Sequence, residues 1–178
     1  RAQRVKSLAK DIAKEIGVAH EWRLEVASDF CYLGYLTLPE DAQKKVYAGE
    51  SLNPETEQVV SEFPVFVSNL LKDIPRLHKI RKIIEFIGAG YEQLEDDFSE
   101  ERKIASIIHL AQVYDQWDSK GCTKGEIFEK IRAQESSFVS GSIDALANTR
   151  ELGGKFLEPR QVSPQELKPG MQLMEELV

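Results

Sequence analysis

Apolar residues recur every three or four positions along most of the first 150 residues, a spacing that predicts amphipathic helices rather than strands. The first helix has Val5, Leu8 and Ile12 on one face, and Gly17 follows as a residue typical of helix ends. The predicted helices lie near residues 1–17, 20–36, 41–47, 53–71, 75–87, 100–117, 123–131 and 141–149. The pattern therefore predicts an all-α fold, a bundle of six to eight short helices.

Several predicted helix ends carry residues with a known physical role. Asn53 precedes Pro54, and an Asn cap followed by a first-turn proline is a typical helix start. Pro64 should kink or restart that helix, because proline lacks an N–H group and clashes with the preceding turn. Thr123 is predicted to cap a later helix and Pro75 to begin another one.

The same periodicity predicts which side chains face the core. The second helix is expected to turn Trp22, Val26 and Phe30 inward. After Pro64, the residues Val67 and Leu70 are expected to continue the buried face. These assignments follow from spacing alone, so they depend on where each helix begins and ends.

The composition changes after about Arg150, where glycines and prolines interrupt every run long enough to form a helix. Residues 1–150 are therefore predicted to form one helical domain. Residues 151–178 are predicted to form an irregular C-terminal arm or the start of a further, truncated unit. The first alternation typical of a strand also falls in this tail, near residues 172–174.

Charge and cysteine content narrow the range of partners. The formal net charge of −7 makes nucleic acid an unfavourable partner for the average surface. No run of about 18 apolar residues is present, so no membrane span is predicted. Two cysteines, Cys31 and Cys122, lie far apart and form no metal-binding motif, which favours a reducing compartment such as the cytoplasm.

Few residues are candidates for metal binding or for acid–base catalysis. The three histidines, His20, His78 and His109, have no second histidine at helical spacing, and the acidic run between residues 92 and 101 lacks the spacing of a calcium loop. One basic stretch includes Lys79, Arg81 and Lys82. It is interpreted either as a solvated helix face or as a contact for an anion, a partner or a nucleotide.

Three strings resemble a known family, the HD-GYP domains, which are output modules of bacterial two-component response regulators. Phe30–Pro39 resembles the family's Leu-His-Asp-Ile-Gly-Lys-Ile-Gly-Ile-Pro and retains its glycine and proline. Phe63–Pro64 stands where the family has His-Pro, and Gln112–Asp115 resembles its Asp-Val-Tyr-Asp. The resemblance extends from Arg1 to about residue 148. Residues 162–173 also resemble a Leu-x-x-Gly-Met-x-Leu segment that lies beside such domains in some response regulators.

The resemblance implies a pocket that holds two or three metal ions and hydrolyses cyclic di-guanylate. The positions corresponding to the family's metal ligands hold residues of other kinds: Arg1, Cys31, Tyr32, Phe63 and Gln112. Asp115 alone matches a family acidic position. Because hard divalent ions need carboxylate or imidazole ligands, these six residues are expected to form a vestigial pocket without a metal ion, a cofactor or a catalytic residue.

The resulting expectation is a catalytically inactive HD-GYP-like signalling domain of a response regulator that acts through protein–protein contacts. Its expected partner is a protein of the signalling pathway, and a homodimer is one possibility. Two alternatives remain open. The pocket could bind a cyclic dinucleotide as a sensor, with Lys79, Arg81 and Lys82 contacting the phosphates, or a residual metal-dependent phosphohydrolase activity could persist.

Overall fold

The computed structural model describes residues 1–18, 21–89 and 99–149. In this part of the chain every regular element is helical, which confirms the predicted all-α class. The elements are α1 Ala2–Glu15, α2 Glu21–Phe30, a 3₁₀ helix Leu33–Thr37, α3 Glu40–Ala48, α4 Pro54–Ser61, α5 Phe63–Leu71, α6 His78–Ala89, α7 Glu100–Ser119, α8 Lys124–Arg132, a second 3₁₀ helix Glu135–Ser137 and α9 Ser142–Ala147. If α4 and α5 count as one bent helix, the described residues contain eight α-helices, the upper end of the expected number.

The helix ends follow the signals in the sequence. The Thr56 N–H donates to the Asn53 side chain at 2.7 Å, with Pro54 in the first turn of α4. α4 ends at Ser61 and α5 begins at Phe63, so Pro64 restarts the helix as predicted. Thr123 caps α8 and exchanges hydrogen bonds with Glu126 in both directions, which forms a capping box.

Helix α7 is the centre of the bundle. It packs against α1, α2, α6, α8 and α9, and its side chains Ile104, Ile107 and Leu110 are completely buried. A helix that is apolar on most of its circumference is stable only when neighbours surround it. Helices α1, α2, α5, α6, α8 and α9 each contribute buried residues to the same core, whereas α3 and α4 contribute none. This arrangement places the last turns of α7 beside the first turn of α1.

Three predictions about individual positions were wrong. Trp22 is half exposed, because α2 turns Leu24 and Ala27 inward, whereas Val26 and Phe30 of the same row as Trp22 are partly buried and pack against the core. Leu70 is also half exposed, since α5 buries only the row to which Val67 belongs. Helix α6 begins at His78 rather than at Pro75, because the backbone at Arg76 is left-handed, with φ of 71°, and breaks the helical path.

Several predictions concern residues outside the described part of the chain. They include His20, most of the acidic run, the C-terminal arm or further unit at 151–178, and the strand near residues 172–174. The division into a domain at 1–150 and a separate tail therefore stays a prediction. None of the described helices combines the length and hydropathy needed to cross a membrane.

Candidate functional site

The structure brings most of the predicted vestigial pocket to one end of the bundle, where α1 begins. Arg1 and Tyr32 line a cavity of about 170 Å³ together with Tyr35 and with residues of α3. Asp115 bonds to Arg1 from α7, and Phe63 packs on Tyr35 from α5. Cys31 directly precedes Tyr32 in the chain, and Gln112 lies on α7 one turn before Asp115. Neither of them lines the cavity. Of the predicted residues, Arg1 and Tyr32 therefore line the cavity, and Asp115 and Phe63 contact residues that line it.

Asp115 is the electrostatic centre of this site, and only 1% of its side chain is exposed. The Arg1 Nε donates to one carboxylate oxygen at 2.5 Å, and the Arg4 Nε donates to the other. Arg4 also reaches Asp118 at 3.2 Å and the Ser119 hydroxyl at 2.9 Å. Both oxygens of the one retained acidic residue are thus occupied by guanidinium groups, which join the first turn of α1 to the end of α7.

The Arg1 side chain is held from a second direction as well. One of its terminal nitrogens donates to the backbone carbonyl of Val46 in α3. Its side chain is 13% exposed, so the guanidinium is largely removed from water. A buried charge of this kind is stable only when it is paired and hydrogen-bonded, and Arg1 meets both conditions. Arginine at this position therefore connects the start of α1 to α7 and α3.

Aromatic side chains occupy the centre of the same region. The rings of Tyr32 and Tyr35 have centroids 5.6 Å apart, and Tyr35 meets Phe63 edge to face at 5.0 Å. Burial raises the pKa of both tyrosines, and the Asp115 charge raises that of Tyr32 further. Burial also raises the pKa of the Cys31 thiol to about 12. These phenol and thiol groups therefore stay protonated at neutral pH.

Two glycines make room for the Phe63–Pro64 pair. A Cβ atom added to Gly34 would lie 2.4 Å from Cγ of Phe63, and one added to Gly88 would lie 2.5 Å from Cβ of Pro64. Such separations are far inside van der Waals contact, so no larger residue fits without movement of its neighbour. Gly34 was identified from the sequence only as a retained family position. Its role in seating the Phe63 ring follows from the structure.

The donor set does not fit a metal ion. Arginine carries only donors, phenylalanine carries no ligand atom, and protonated tyrosine and cysteine are poor ligands for hard divalent cations. The remaining carboxylate, that of Asp115, is already bonded on both oxygens. Across the described ranges, no three His, Cys, Asp or Glu side chains lie close enough together to hold a metal ion.

The predicted basic cluster lies elsewhere and is partly neutralised. Lys79 lies 3.4 Å from a Glu101 oxygen, and Arg81 donates to Glu85 at 2.8 Å. Lys82 lies over the Phe86 ring. None of the three lines the cavity at Arg1. The structure therefore does not join Lys79, Arg81 and Lys82 to the vestigial pocket.

Glu101 ties this cluster to the bundle. Its carboxylate lies between Lys79 and Arg23, and burial and these contacts shift its pKa in opposite directions. Burial favours the neutral form, but a backbone hydrogen bond and the two nearby positive charges outweigh burial and hold the pKa of Glu101 below its usual value. Ionised Glu101 therefore stabilises the fold above the pKa of an unfolded Glu, and this contribution is lost as the pH falls through the folded pKa.

We expect Glu101→Gln to lower the free energy of unfolding by on the order of 1 kcal/mol at pH 7, because it removes a charge held between two cations. The difference from the parent chain should shrink as the pH falls below about 4.5, the usual pKa of a glutamate, and vanish once Glu101 is protonated. Urea unfolding at a series of pH values measures it. Exposed Glu129 provides the control Glu129→Gln, which should have little effect. A Glu101→Gln difference that does not change with pH would contradict the assignment.

A comparison with known protein families agrees with the all-helical fold. The family model described as HD domain matches residues 1–111, well over half of the chain. The chain therefore belongs to the HD-domain family, a family of metal-dependent phosphohydrolase-type signalling domains. The match includes Arg1, Cys31, Tyr32 and Phe63 and ends one residue before Gln112. No curated protein and no solved structure matches the chain significantly.

Some residues of the site were not assigned to it from sequence. Arg4 was not predicted to belong to the site, yet it bonds to the second oxygen of Asp115. Gln43, Val46 and Tyr47 form the α3 side of the cavity, and no motif distinguishes them. A signal for Arg4 was present, since two arginines three residues apart share one face of a helix. No feature of the sequence indicated that residues of α3 belong to the site.

Proposed function

We propose that this chain is a non-hydrolysing member of the HD-domain family that transmits a signal through protein contacts. The observation that carries the proposal is the pairing of Arg1 with Asp115, at positions that the resemblance to HD-GYP domains assigns to the metal centre. Metal-dependent hydrolysis needs a cation that lowers the pKa of a bound water. Here the cation is a guanidinium, which donates hydrogen bonds but offers no open coordination position, so no hydroxide is produced for attack.

The proposal also assigns a place in signalling. Resemblance to HD-GYP domains, and the similarity of residues 162–173 to a segment found beside them, support an output domain of a bacterial two-component response regulator. On this proposal the domain works in the cytoplasm, downstream of a receiver domain. The ion pairs between α1 and α7 support a role as a scaffold, because a signal relayed through contacts needs a defined surface and no turnover.

The decisive experiment measures metal content and activity on one preparation. The chain is expressed in medium supplemented with iron and manganese, desalted, analysed by elemental mass spectrometry and assayed for hydrolysis of cyclic di-guanylate. We expect far less than one metal ion per chain and no turnover, with an active HD-GYP domain purified in parallel as the positive control. Stoichiometric metal together with turnover would overturn the proposal and favour residual phosphohydrolase activity.

The sensor alternative gains no specific support from the geometry. Cavities that enclose drug-sized ligands typically measure about 300–1,000 Å³, whereas this one measures about 170 Å³. Lys79 and Arg81 are already paired with carboxylates. Titration calorimetry with cyclic di-guanylate on the same preparation tests the alternative. Binding heat that disappears when Lys79, Arg81 and Lys82 are replaced by alanine would establish a sensor instead.

A further inference from the structure

The cavity at the start of α1 carries hydrogen-bond donors on its walls and no carboxylate. Its walls come from the first turn of α1, from Tyr32 and Tyr35, and from α3. Among the described residues that line it, Arg1 is the one charged side chain. Because a cation would meet a guanidinium here, these walls favour a ligand that supplies electron pairs.

Arg1 has hydrogen-bonding capacity that the protein does not use. Its Nε donates to Asp115 at 2.5 Å, and one terminal nitrogen donates to the Val46 carbonyl. A guanidinium carries five N–H donors in one plane, so these two bonds leave donors without an acceptor among the described residues. The same two bonds hold the plane in place, and the remaining donors are therefore already oriented.

The phenol groups of Tyr32 and Tyr35 are unused as well. Within the described part of the chain, neither hydroxyl hydrogen-bonds to a protein group, and neither oxygen is sealed from solvent. Because burial raises the pKa of both phenols, each keeps its proton at neutral pH and can donate. Largely buried tyrosines usually find a partner for the O–H group. At this cavity that partner has to come from outside the protein.

The positive charge of Arg1 is only partly balanced. Asp115 is shared between Arg1 and Arg4, and it does not line the cavity. Asp118, the other acidic residue of this cluster, contacts Arg4 instead. Arg1 therefore meets the cavity with residual positive charge at a place largely removed from water, where attraction for an anion is stronger than at the open surface.

The backbone at the start of α1 adds further donors. Ala2 and Gln3 line the same cavity, and the first N–H groups of a helix have no acceptor within that helix. The Arg1 side chain does not cap them. These N–H groups extend a donor set that Arg1 and the two phenols already define, and they favour a negatively charged ligand.

We propose that this cavity is a binding site for a small oxyanion, a phosphate or carboxylate group, held by Arg1, Tyr32 and Tyr35. Oxygen atoms of such a group accept from charged and neutral donors alike, and bonds to the guanidinium are the stronger ones. The cavity measures about 170 Å³, which is too small to enclose a ligand as large as a cyclic dinucleotide. The inference rests on the proposed function in one respect, because it requires a pocket without a metal ion.

An anion at this place would also connect α3 to the rest of the domain. Helix α3 contributes no buried residue, and its contacts here are the bond from Arg1 to the Val46 carbonyl and the cavity wall that includes Gln43 and Tyr47. A bound group would lie between that wall and the tyrosines. The backbone amides of α3 and those of residues 32–35 are therefore expected to report binding together.

The first test is a heteronuclear NMR titration of the 178-residue chain with sodium phosphate at neutral pH. A chelator is present throughout, and sodium chloride keeps the ionic strength constant. We expect saturable shifts in α3 and residues 32–35, with a Kd on the order of millimolar, because few donors hold a small group. Sodium acetate, titrated separately, should bind more weakly, since it offers two acceptor oxygens instead of four. Binding of either anion supports the site and ranks its ligand, whereas binding of neither overturns the proposal.

The second test removes single hydroxyl groups and keeps the rings. Tyr32→Phe and Tyr35→Phe should stay folded, and each should raise the Kd about tenfold, because each removes one hydrogen bond to a charged group. Tyr114→Phe is the matched control and should leave the Kd unchanged, since Tyr114 packs near Phe128 and does not line the cavity. Arg1→Gln should abolish binding. Urea unfolding checks that each variant is folded, and an unchanged Kd in the double variant Tyr32→Phe with Tyr35→Phe overturns the proposal even if Arg1→Gln fails to fold.

Failure of this inference and failure of the proposed function give different results. A chain without metal, without turnover and without anion binding would overturn the inference alone. A metal-bearing, hydrolysing chain that still binds phosphate after chelation would overturn the proposed function alone. Phosphate binding that disappears with the chelator would show that a metal ion rather than Arg1 holds the anion, and it would overturn the inference.

Discussion

Replacement of Asp115 by alanine is expected to lower the free energy of unfolding by about 3 kcal/mol, because it leaves the Arg1 guanidinium buried without a counter-charge. Removal of one member of a buried ion pair is costly even where the intact pair adds little net stability. Arg4 loses its bond to Asp115 in the same variant, but it is 45% exposed and keeps its contacts with Asp118 and Ser119. Urea unfolding at neutral pH measures the change.

Asp118→Ala is the matched control on the same helix. Asp118 is 40% exposed and contacts Arg4 at 3.2 Å, so its removal should change stability by less than about 1 kcal/mol. Asp115→Asn separates charge from shape, since it keeps the side-chain volume and should be nearly as destabilising as alanine. If Asp115→Ala lowered the free energy of unfolding no more than Asp118→Ala does, the arginine cross-link between α1 and α7 would not stabilise the fold.

The second large effect is expected at the aromatic centre of the site. Phe63 is 5% exposed and its truncation to alanine should cost about 3–4 kcal/mol, since it removes buried apolar surface and leaves a cavity. Gly34→Ala should cost about 1–3 kcal/mol, because the new methyl group would lie 2.4 Å from the ring. Chemical unfolding of both single variants measures these changes.

The double variant distinguishes this contact from two independent defects. Once Phe63 is truncated, the methyl group at position 34 has room, so Gly34→Ala with Phe63→Ala should be about 1–2 kcal/mol more stable than the sum of the single effects predicts. Gly125 in α8 has no atom within 4 Å of an added Cβ, and Gly125→Ala should be neutral or stabilising by about 0.5–1 kcal/mol. Strict additivity would show that Gly34 and Phe63 do not constrain each other.

Both predictions concern contacts that join helices far apart in sequence. Asp115 accepts from arginine side chains on both carboxylate oxygens, and Phe63 packs on Tyr35 of the first 3₁₀ helix. The structural role of Asp115 follows from its two arginine partners.

Local signals in the sequence were sufficient for much of the fold. Asn53 and Thr123 cap helices where predicted, because a capping bond joins a side chain to a backbone N–H only two or three residues away. The residue types at the ligand positions were also readable directly. A phenylalanine or an arginine lacks a metal-binding electron pair wherever the chain folds.

The faces of short helices were less predictable. Trp22 and Leu70 were assigned to the core and lie half exposed, because each belongs to a helix of about ten residues. In such a helix the positions of its ends decide which row turns inward. The start of α6 was not predictable for a similar reason. The left-handed backbone at Arg76 moves it to His78, and no local sequence signal indicates that conformation.

The sequence by itself therefore determined the helical class and many of the helix ends. Only the tertiary structure decided that Arg1 and Arg4 enclose Asp115 across more than a hundred residues, that Phe63 lies on Gly34, and that Lys79 and Arg81 are paired away from the cavity. The physical reason is range: periodicity and capping act within one or two helical turns, whereas these contacts exist only after separate helices have packed around α7.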